Sequence, residues 1–113
     1  MLKECTHVLQ LSAKGENQEK AFYQIFAQIR TATAKAFPDQ AIVQIDPKDV
    51  AVVSAKEVVS TEKFFGLLFP REISTVELTL AITVVVRMVD LSQMKVEKIK
   101  QEDPLIKQIL NKN

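Results

Sequence analysis

The strongest constraint on the fold is a run of strict alternation between residues 73 and 89. One set of alternate side chains is wholly apolar: Val76, Leu78, Leu80, Ile82, Val84, Val86 and Met88. Successive side chains of a β-strand point to opposite faces of a sheet, so this pattern predicts one long strand with that set in the core. The other set begins polar and becomes apolar at Ala81, Val85 and Val89. We interpret these three residues as a face that another subunit or the C-terminal segment covers.

A second strand is predicted just before the first, from Val50 to Lys63, where Val and Thr are frequent. The two strands form a long β-hairpin whose connection is apolar, although turns between strands are normally polar. We call this connection the interaction tip; it comprises Phe64, Phe65, Leu67, Leu68, Phe69, Pro70 and Arg71. An exposed apolar cluster marks a contact surface. Two alternatives stay open: the tip packs on its own core or an identical subunit, or it contacts a different protein or a membrane.

The remaining elements follow from shorter patterns. Alternation predicts a strand over residues 4–13, and apolar residues at helical spacing predict one long amphipathic helix over residues 18–37, which Pro38 ends. Residues 42–45 form a short edge segment with a bulge or kink near Asp46 and Pro47, because proline cannot donate a ladder hydrogen bond. Asp103 and Pro104 begin a short C-terminal helix, and residues 92–102 are either irregular or helical.

These elements predict an α+β fold of β-α-β-β order, with an antiparallel sheet wrapped on one long helix, a long β-hairpin and a short C-terminal helix. Residues 1–113 form a single domain, with a core over 1–91 and a C-terminal extension over 92–113.

Composition removes several classes of function. The chain has 113 residues, and its 15 basic and 14 acidic residues leave no basic surface for nucleic acid. Two glycines cannot build a Gly-rich phosphate loop. The apolar run ITVVVRMV is too short for a transmembrane segment, and MLKECTH lacks the apolar core of a secretory signal. A single cysteine fits a reducing compartment. We therefore expect a cytoplasmic protein. The apolar interaction tip leaves open a peripheral position at a membrane.

Catalytic and metal-binding candidates are few. Cys5 and His7 lie on one face of the first strand, but they alternate in phase with Leu9 and Leu11, which favours ordinary packing over a metal site or an activated thiol. The carboxylates Glu57, Glu62, Glu72 and Glu77 lie on the two arms of the hairpin, and solvated strand charges explain them more simply than an acid and base pair does. We predict no catalytic residues, no metal and no cofactor, and hence no enzyme.

The hairpin carries a resemblance to a known family, in the string Thr61, Glu62, Lys63, Phe64, an apolar run, Pro70, Arg71, Glu72, and then Val76, Glu77 and Leu78. This string, with the AFYQIFAQI helix and the QIDP element, is similar to the hallmark of a bacterial family known as domain of unknown function 4312. The resemblance extends to about Leu91. Members tend to be encoded beside multi-span membrane proteins and carbohydrate-catabolism enzymes, which implies an accessory role in uptake.

The predicted β-α-β-β order is also similar to that of the dodecin flavin-storage proteins, which assemble into shells. This chain lacks the tryptophan that stacks flavin there.

The function expected from these features is that of a self-associating cytoplasmic protein, an accessory component of a membrane-linked carbohydrate uptake or catabolism system. Its partners would be its own copies and a membrane protein. The alternative is a carrier of a small ligand, such as a cofactor or a sugar phosphate, with a pocket between subunits.

Overall fold

The structure is a computed structural model that describes residues 1–64 and 69–102, with the side chains of residues 63, 64, 69 and 70 left out. Its elements are β1 (Leu2–Gly15), α1 (Gln18–Phe26), α2 (Ile29–Ala36), β2 (Gln40–Phe64), β3 (Phe69–Asp90) and a 3-10 turn (Leu91–Gln93). Residues 94–102 have no regular secondary structure and are exposed. The predicted C-terminal helix lies outside the described residues.

The three strands form one antiparallel sheet in the order β1-β3-β2. β3 is the central strand and pairs along β1 from Val76 to Val89. It pairs along β2 over its full length, from Phe69 to Asp90. The hairpin of β2 and β3 is therefore much longer than β1, and its last seven residue pairs, 58–64 with 69–75, extend past the end of β1 as a two-stranded ribbon. We call this ribbon the arm.

The core lies between one face of the sheet and the two helices. Alternation along β3 places its apolar set there: Leu78, Leu80, Ile82, Val84, Val86 and Met88 are all buried. The helices contribute Ala21, Ile25 and Ile29, and β1 contributes Leu9. We call this the helix side of the sheet, and the opposite face the open face. The prediction for the core face of β3 is confirmed for these six residues, and the seventh, Val76, is half-buried and packs against the core.

The predicted α+β fold of β-α-β-β order, with a sheet wrapped on one long helix, is wrong, because the described chain is mainly one antiparallel sheet and its order is β-α-α-β-β. Residues 18–36 form two short helices, α1 of 9 residues and α2 of 8 residues, separated at Ala27 and Gln28. At the break, the Gln28 N–H bonds to the Ile25 carbonyl at 2.9 Å, a tighter turn than that of an α-helix. A helix of this size is only about 13 Å long. β3 has 22 residues and a length of about 75 Å, so the sheet dominates and the helices cover only part of it.

Two local contacts fix where α1 begins. Asn17 accepts a hydrogen bond from the Lys20 N–H at 2.8 Å and caps the helix. Gly15, at the end of β1, lies so close to α1 that an added Cβ would be 2.5 Å from the Ala21 nitrogen. The close approach of backbone to backbone therefore requires glycine at position 15 and sets the helix directly over β1.

β2 is an irregular edge strand. Its pairing with β3 shifts between Ile42 and Gln44, between Pro47 and Asp49, and between Val52 and Ser54. Each shift leaves one extra residue on β2, which is the signature of a β-bulge and increases the local twist. The kink predicted near Pro47 coincides with the second shift, and the short segment 42–45 is part of one continuous strand of 25 residues.

Candidate functional site

An apolar groove lies on the helix side where the helices no longer cover the sheet. It has a volume of ≈ 490 Å³ and is lined mainly by apolar side chains: Phe22 of α1, Val50, Val52 and Ala55 of β2, and Leu78 and Leu80 of β3. Gln18 and Glu19 of α1 form its polar rim. We call Val50, Val52 and Ala55 the uncovered strip.

The strip is exposed because of where the helices lie. α1 packs against β1 and β3, and α2 packs against β1 and β2, where Ile42 and Ile45 join the core. Further along β2, Val50 is 38% exposed and Val52 is 65% exposed. Val50 pairs with Ile82 and Val52 pairs with Leu80, both of which are buried. A row of apolar side chains that continues the core thus lies open to solvent.

The interaction tip lies mostly outside the described residues. Backbone pairing brings Phe64 opposite Phe69 and Lys63 opposite Pro70 at the end of the arm. Arg71 is exposed and lies opposite Glu62, which places opposite charges across the arm. Residues 65–68 are outside the description, and the role assigned to the tip stays a prediction.

The predicted oligomer face, Ala81, Val85 and Val89, lies on the open face, and each of the three residues is half-buried. Their neighbours across the sheet are mixed in character. Val85 lies between Thr6 and Asp46, and Ala81 lies between Gln10 and Ala51. Polar side chains therefore interrupt the apolar row on this face, whereas the uncovered strip on the helix side is continuous with the core.

A small polar pocket of ≈ 250 Å³ lies on the open face around Arg87, Glu4, Asp46 and Lys48. The Lys48 ammonium lies 2.8 Å from an Asp46 carboxylate oxygen. The hydrogen bond and charge of Asp46 raise the pKa of Lys48. Charges of both signs in one pocket neutralise each other, so the pocket does not select an anionic or a cationic ligand.

Cys5 and His7 take part in packing. Both lie on the helix side and are half-buried, and the His7 ring packs edge-on against Phe37 with ring centroids 5.3 Å apart. Within residues 1–64 and 69–102, no group of three His, Cys, Asp or Glu residues is placed to hold a metal ion.

The hairpin carboxylates are not brought together as pairs. Glu57 lies opposite Val76, Thr61 opposite Glu72, and Lys56 opposite Glu77. The Ser74 hydroxyl donates a hydrogen bond to Glu57, and Lys14 lies 3.2 Å from Glu77. The register therefore gives these acids hydroxyl or cationic neighbours, which suits solvated strand surfaces.

Sequence reasoning missed the groove. Phe22 lies in the segment predicted to be an amphipathic helix and packs against the core, and Val50 and Val52 lie in a predicted strand whose faces the pattern does not assign. The signal was the spacing of Val50 and Val52, two residues apart, which puts both on one face of β2 as the alternation of β3 does for its buried residues. The bulge after Val52 breaks that alternation, because it moves Ala55 rather than Ser54 onto the helix side.

The fold and its groove define a class: a β-rich domain in which two short helices cover part of one face of a three-stranded antiparallel sheet. Comparison with known protein families matches residues 5–89 to a domain of unknown function, DUF4312. The chain belongs to this family, and the resemblance predicted from the hairpin is confirmed.

No curated protein and no solved structure matches the chain. In the part of the chain that the structure describes, neither helix has the length and apolar character needed to cross a membrane.

Proposed function

We propose that this protein is a self-associating subunit, and that a second copy covers the uncovered strip. The observation that carries the proposal is the contrast between Val52, 65% exposed, and its partner Leu80, 1% exposed, on the same side of the sheet. Burying apolar surface contributes about 25 cal/mol per Å², so an open continuation of the core favours association.

The exposed area of the chain supports this proposal. The chain exposes 9227 Å², whereas a monomeric protein of this size exposes roughly 6,200 Å². The difference of about 3,000 Å² includes the surface of the uncovered strip and the arm, together with residues 94–102, which are exposed and have no regular secondary structure. The radius of gyration is 24.9 Å, against roughly 13 Å for a compact domain of similar length.

The arm also supports association with a second copy. A two-stranded ribbon is at best marginally stable in water, because most of its side chains remain solvated. Val58 and Val59 of the arm are about half exposed. Contact with another copy would cover these residues and hold the arm in place.

The proposal is tested by sedimentation equilibrium on the wild type and on Val52→Asp. A charge at position 52 would be desolvated in the interface, so the variant should lose the contacts made by the strip. Val43→Asp is the matched control, because Val43 is 59% exposed on the same strand and does not line the groove. Equal association of Val52→Asp and the wild type would contradict the proposal.

A second candidate function is a small-ligand carrier, and the groove is the observation that favours it. Its ≈ 490 Å³ lies within the usual 300–1,000 Å³ of ligand sites. Such a site would be closed by the second copy and would take an apolar ligand, because its polar groups are confined to Gln18 and Glu19 at the rim. A thermal shift with apolar ligands but not with sugar phosphates would support it.

The accessory role in membrane-linked carbohydrate uptake or catabolism remains part of the proposal and rests on the family resemblance alone. Within that role, the interaction tip is the region proposed to contact a membrane-embedded partner.

A further inference from the structure

The two edges of the sheet differ in a way that matters for assembly. The free edge of β2 carries three register shifts and Pro47, features that hinder the addition of another strand. β1 pairs with β3 over 14 residues without a shift, and it contains no proline. Long, regular edge strands tend to pair with other strands unless they are covered. The edge of β2 is therefore protected. The edge of β1 is regular, and among the described residues a side chain from another element bonds to its backbone only at the Ser12 carbonyl, which Gln28 reaches.

The backbone of β1 presents hydrogen-bonding groups along this open edge. The Gln28 side chain donates to the Ser12 carbonyl at 3.0 Å, and the Cys5 thiol lies 3.6 Å from the Thr6 carbonyl. Both carbonyls belong to even-numbered residues. Alternate residues of an antiparallel strand direct their N–H and C=O groups to opposite sides, so the even-numbered residues face the free edge. Among the described residues, no other side chain bonds to the β1 backbone.

We propose that β1 pairs antiparallel with β1 of a second copy about a twofold axis at Leu9, which joins two three-stranded sheets into one of six strands. The inference rests on the proposed self-association and specifies one of its interfaces. About a twofold axis, the same residues of both copies meet, so β1 must be complementary to a second β1 that runs in the opposite direction.

β1 meets that requirement on both faces. On the open face, Glu4 would lie opposite the partner's Lys14, and Val8 opposite the partner's Gln10. On the helix side, His7 would lie opposite the partner's Leu11 and Leu9 opposite the partner's Leu9, which extends the apolar layer of the core across the joint. The joint thus continues the mainly apolar row of the helix side, which includes His7, and the mainly polar row of the open face, in which Val8 is apolar.

Charge selects this register over its neighbours. Moving the axis to Val8 puts Glu4 opposite the partner's Ser12, and moving it to Gln10 puts Glu4 opposite the partner's Glu16. Only the axis at Leu9 gives two Glu4 to Lys14 pairs. Lys14 already contacts Glu77 at 3.2 Å, yet 72% of its side chain is exposed, so its ammonium can accept a second carboxylate.

The edge joint lies at β1 and the groove lies beside β2, so they are at opposite edges of the sheet. Both can be occupied at once, and the intact protein would then form assemblies larger than a dimer. The Val52→Asp variant would form only the dimer that the edge joint makes.

The test uses charge reversal on the full chain in the Val52→Asp background, measured by sedimentation equilibrium at low salt. Glu4→Lys and Lys14→Glu each replace two attractive pairs by two repulsive ones and should raise the dimer dissociation constant about tenfold. The double variant restores opposite charges and should return to within about threefold of the background. Glu72→Lys, an exposed reversal on the arm beyond the end of β1, is the control. Circular dichroism checks that each variant folds.

Disulfide trapping tests the register directly. Thr6→Cys with Ser12→Cys, in a Cys5→Ser background, places cysteines opposite each other across the joint and should give covalent dimers on mild oxidation.

The inference would be overturned if both single charge reversals left the dimer dissociation constant unchanged, or if the double variant dimerised as weakly as the single variants. If the wild type associates but Val52→Asp alone is monomeric, the edge joint is wrong while the proposed function stands. A monomeric wild type would contradict both.

Discussion

Val52 of β2 and Leu80 of β3 are direct partners on the helix side of the sheet, yet Leu80 is 1% exposed and Val52 is 65% exposed. Leu80 lies toward the helices, and Val52 lies on the edge strand beyond their reach. The core of this protein therefore ends abruptly within the sheet. That boundary makes the uncovered strip the best candidate for a subunit interface.

Gly15→Ala should destabilise the fold, because the new Cβ would lie 2.5 Å from the Ala21 nitrogen and neither backbone can move without shifting α1. We expect a loss of about 1–3 kcal/mol in the free energy of unfolding, measured by urea denaturation. Glu16→Ala, at an exposed position next to it, should cost no more than about 0.5 kcal/mol. Equal stability of Gly15→Ala and the wild type would contradict the close packing of β1 against α1.

Asn17→Ala removes the hydrogen bond that the Asn17 side chain accepts from the Lys20 N–H. The expected loss is about 1 kcal/mol in the free energy of unfolding. Asn17→Ser keeps an oxygen at the cap and should retain most of the stability. Thermal melts of the three proteins would show whether the cap matters, and identical melting temperatures would argue against it.

Asp90 gives a pH dependence with a defined sign. Its carboxylate accepts hydrogen bonds from the Ser92 hydroxyl at 2.6 Å and the Ser92 N–H at 3.0 Å, and Lys3 lies 3.5 Å away. These contacts, the Ser92 hydroxyl first, lower the pKa of Asp90 below its ordinary value of 3.8. A carboxyl whose pKa is lowered by folding stabilises the protein above that ordinary value, and the contribution is lost as the pH falls through the folded-state pKa.

We therefore expect Asp90→Asn to be less stable than the wild type at pH 7, with the difference shrinking as the pH falls below the ordinary pKa of about 4. Urea denaturation at several pH values measures it. Ser92→Ala should show the same trend with a smaller amplitude, because it removes the largest cause of the shift. A stability difference independent of pH would contradict the role of the Asp90 charge.

The interaction tip gives a prediction that rests on sequence. Phe65→Asp with Leu68→Asp should reduce recovery of the protein with the membrane fraction at least tenfold, because two charges would replace apolar contact residues. Val96→Asp is the control, since Val96 is apolar and exposed but lies outside the tip. Unchanged recovery of the double variant would leave the tip without a role in partner binding.

The sequence was most informative along β3. Residues from Leu78 to Met88 alternate without interruption because β1 pairs with β3 without a shift and the extra residue of each bulge lies on β2, so β3 keeps its period of two. The helical segment was misleading because Ile25 and Ile29 keep helical spacing across the break at Ala27 and Gln28. Gln28 bonds to the Ser12 carbonyl from 16 residues away, a contact that local periodicity cannot reveal.

The groove was harder to predict than the core for a physical reason. Val50 and Val52 are the same residue type as the buried Val84 and Val86. They are exposed because the short helices do not extend over them. The three bulges of β2 also disturb the alternation that would have assigned its faces. Exposure at a sheet edge is a property of the whole arrangement, and no single segment encodes it.

The most direct test of the central claim is the mass of the wild-type protein in solution at tens of micromolar, measured by sedimentation equilibrium beside Val52→Asp and Val43→Asp. Self-association predicts an oligomer for the wild type and for Val43→Asp, and a smaller species for Val52→Asp. A folded, strictly monomeric wild type would contradict the account.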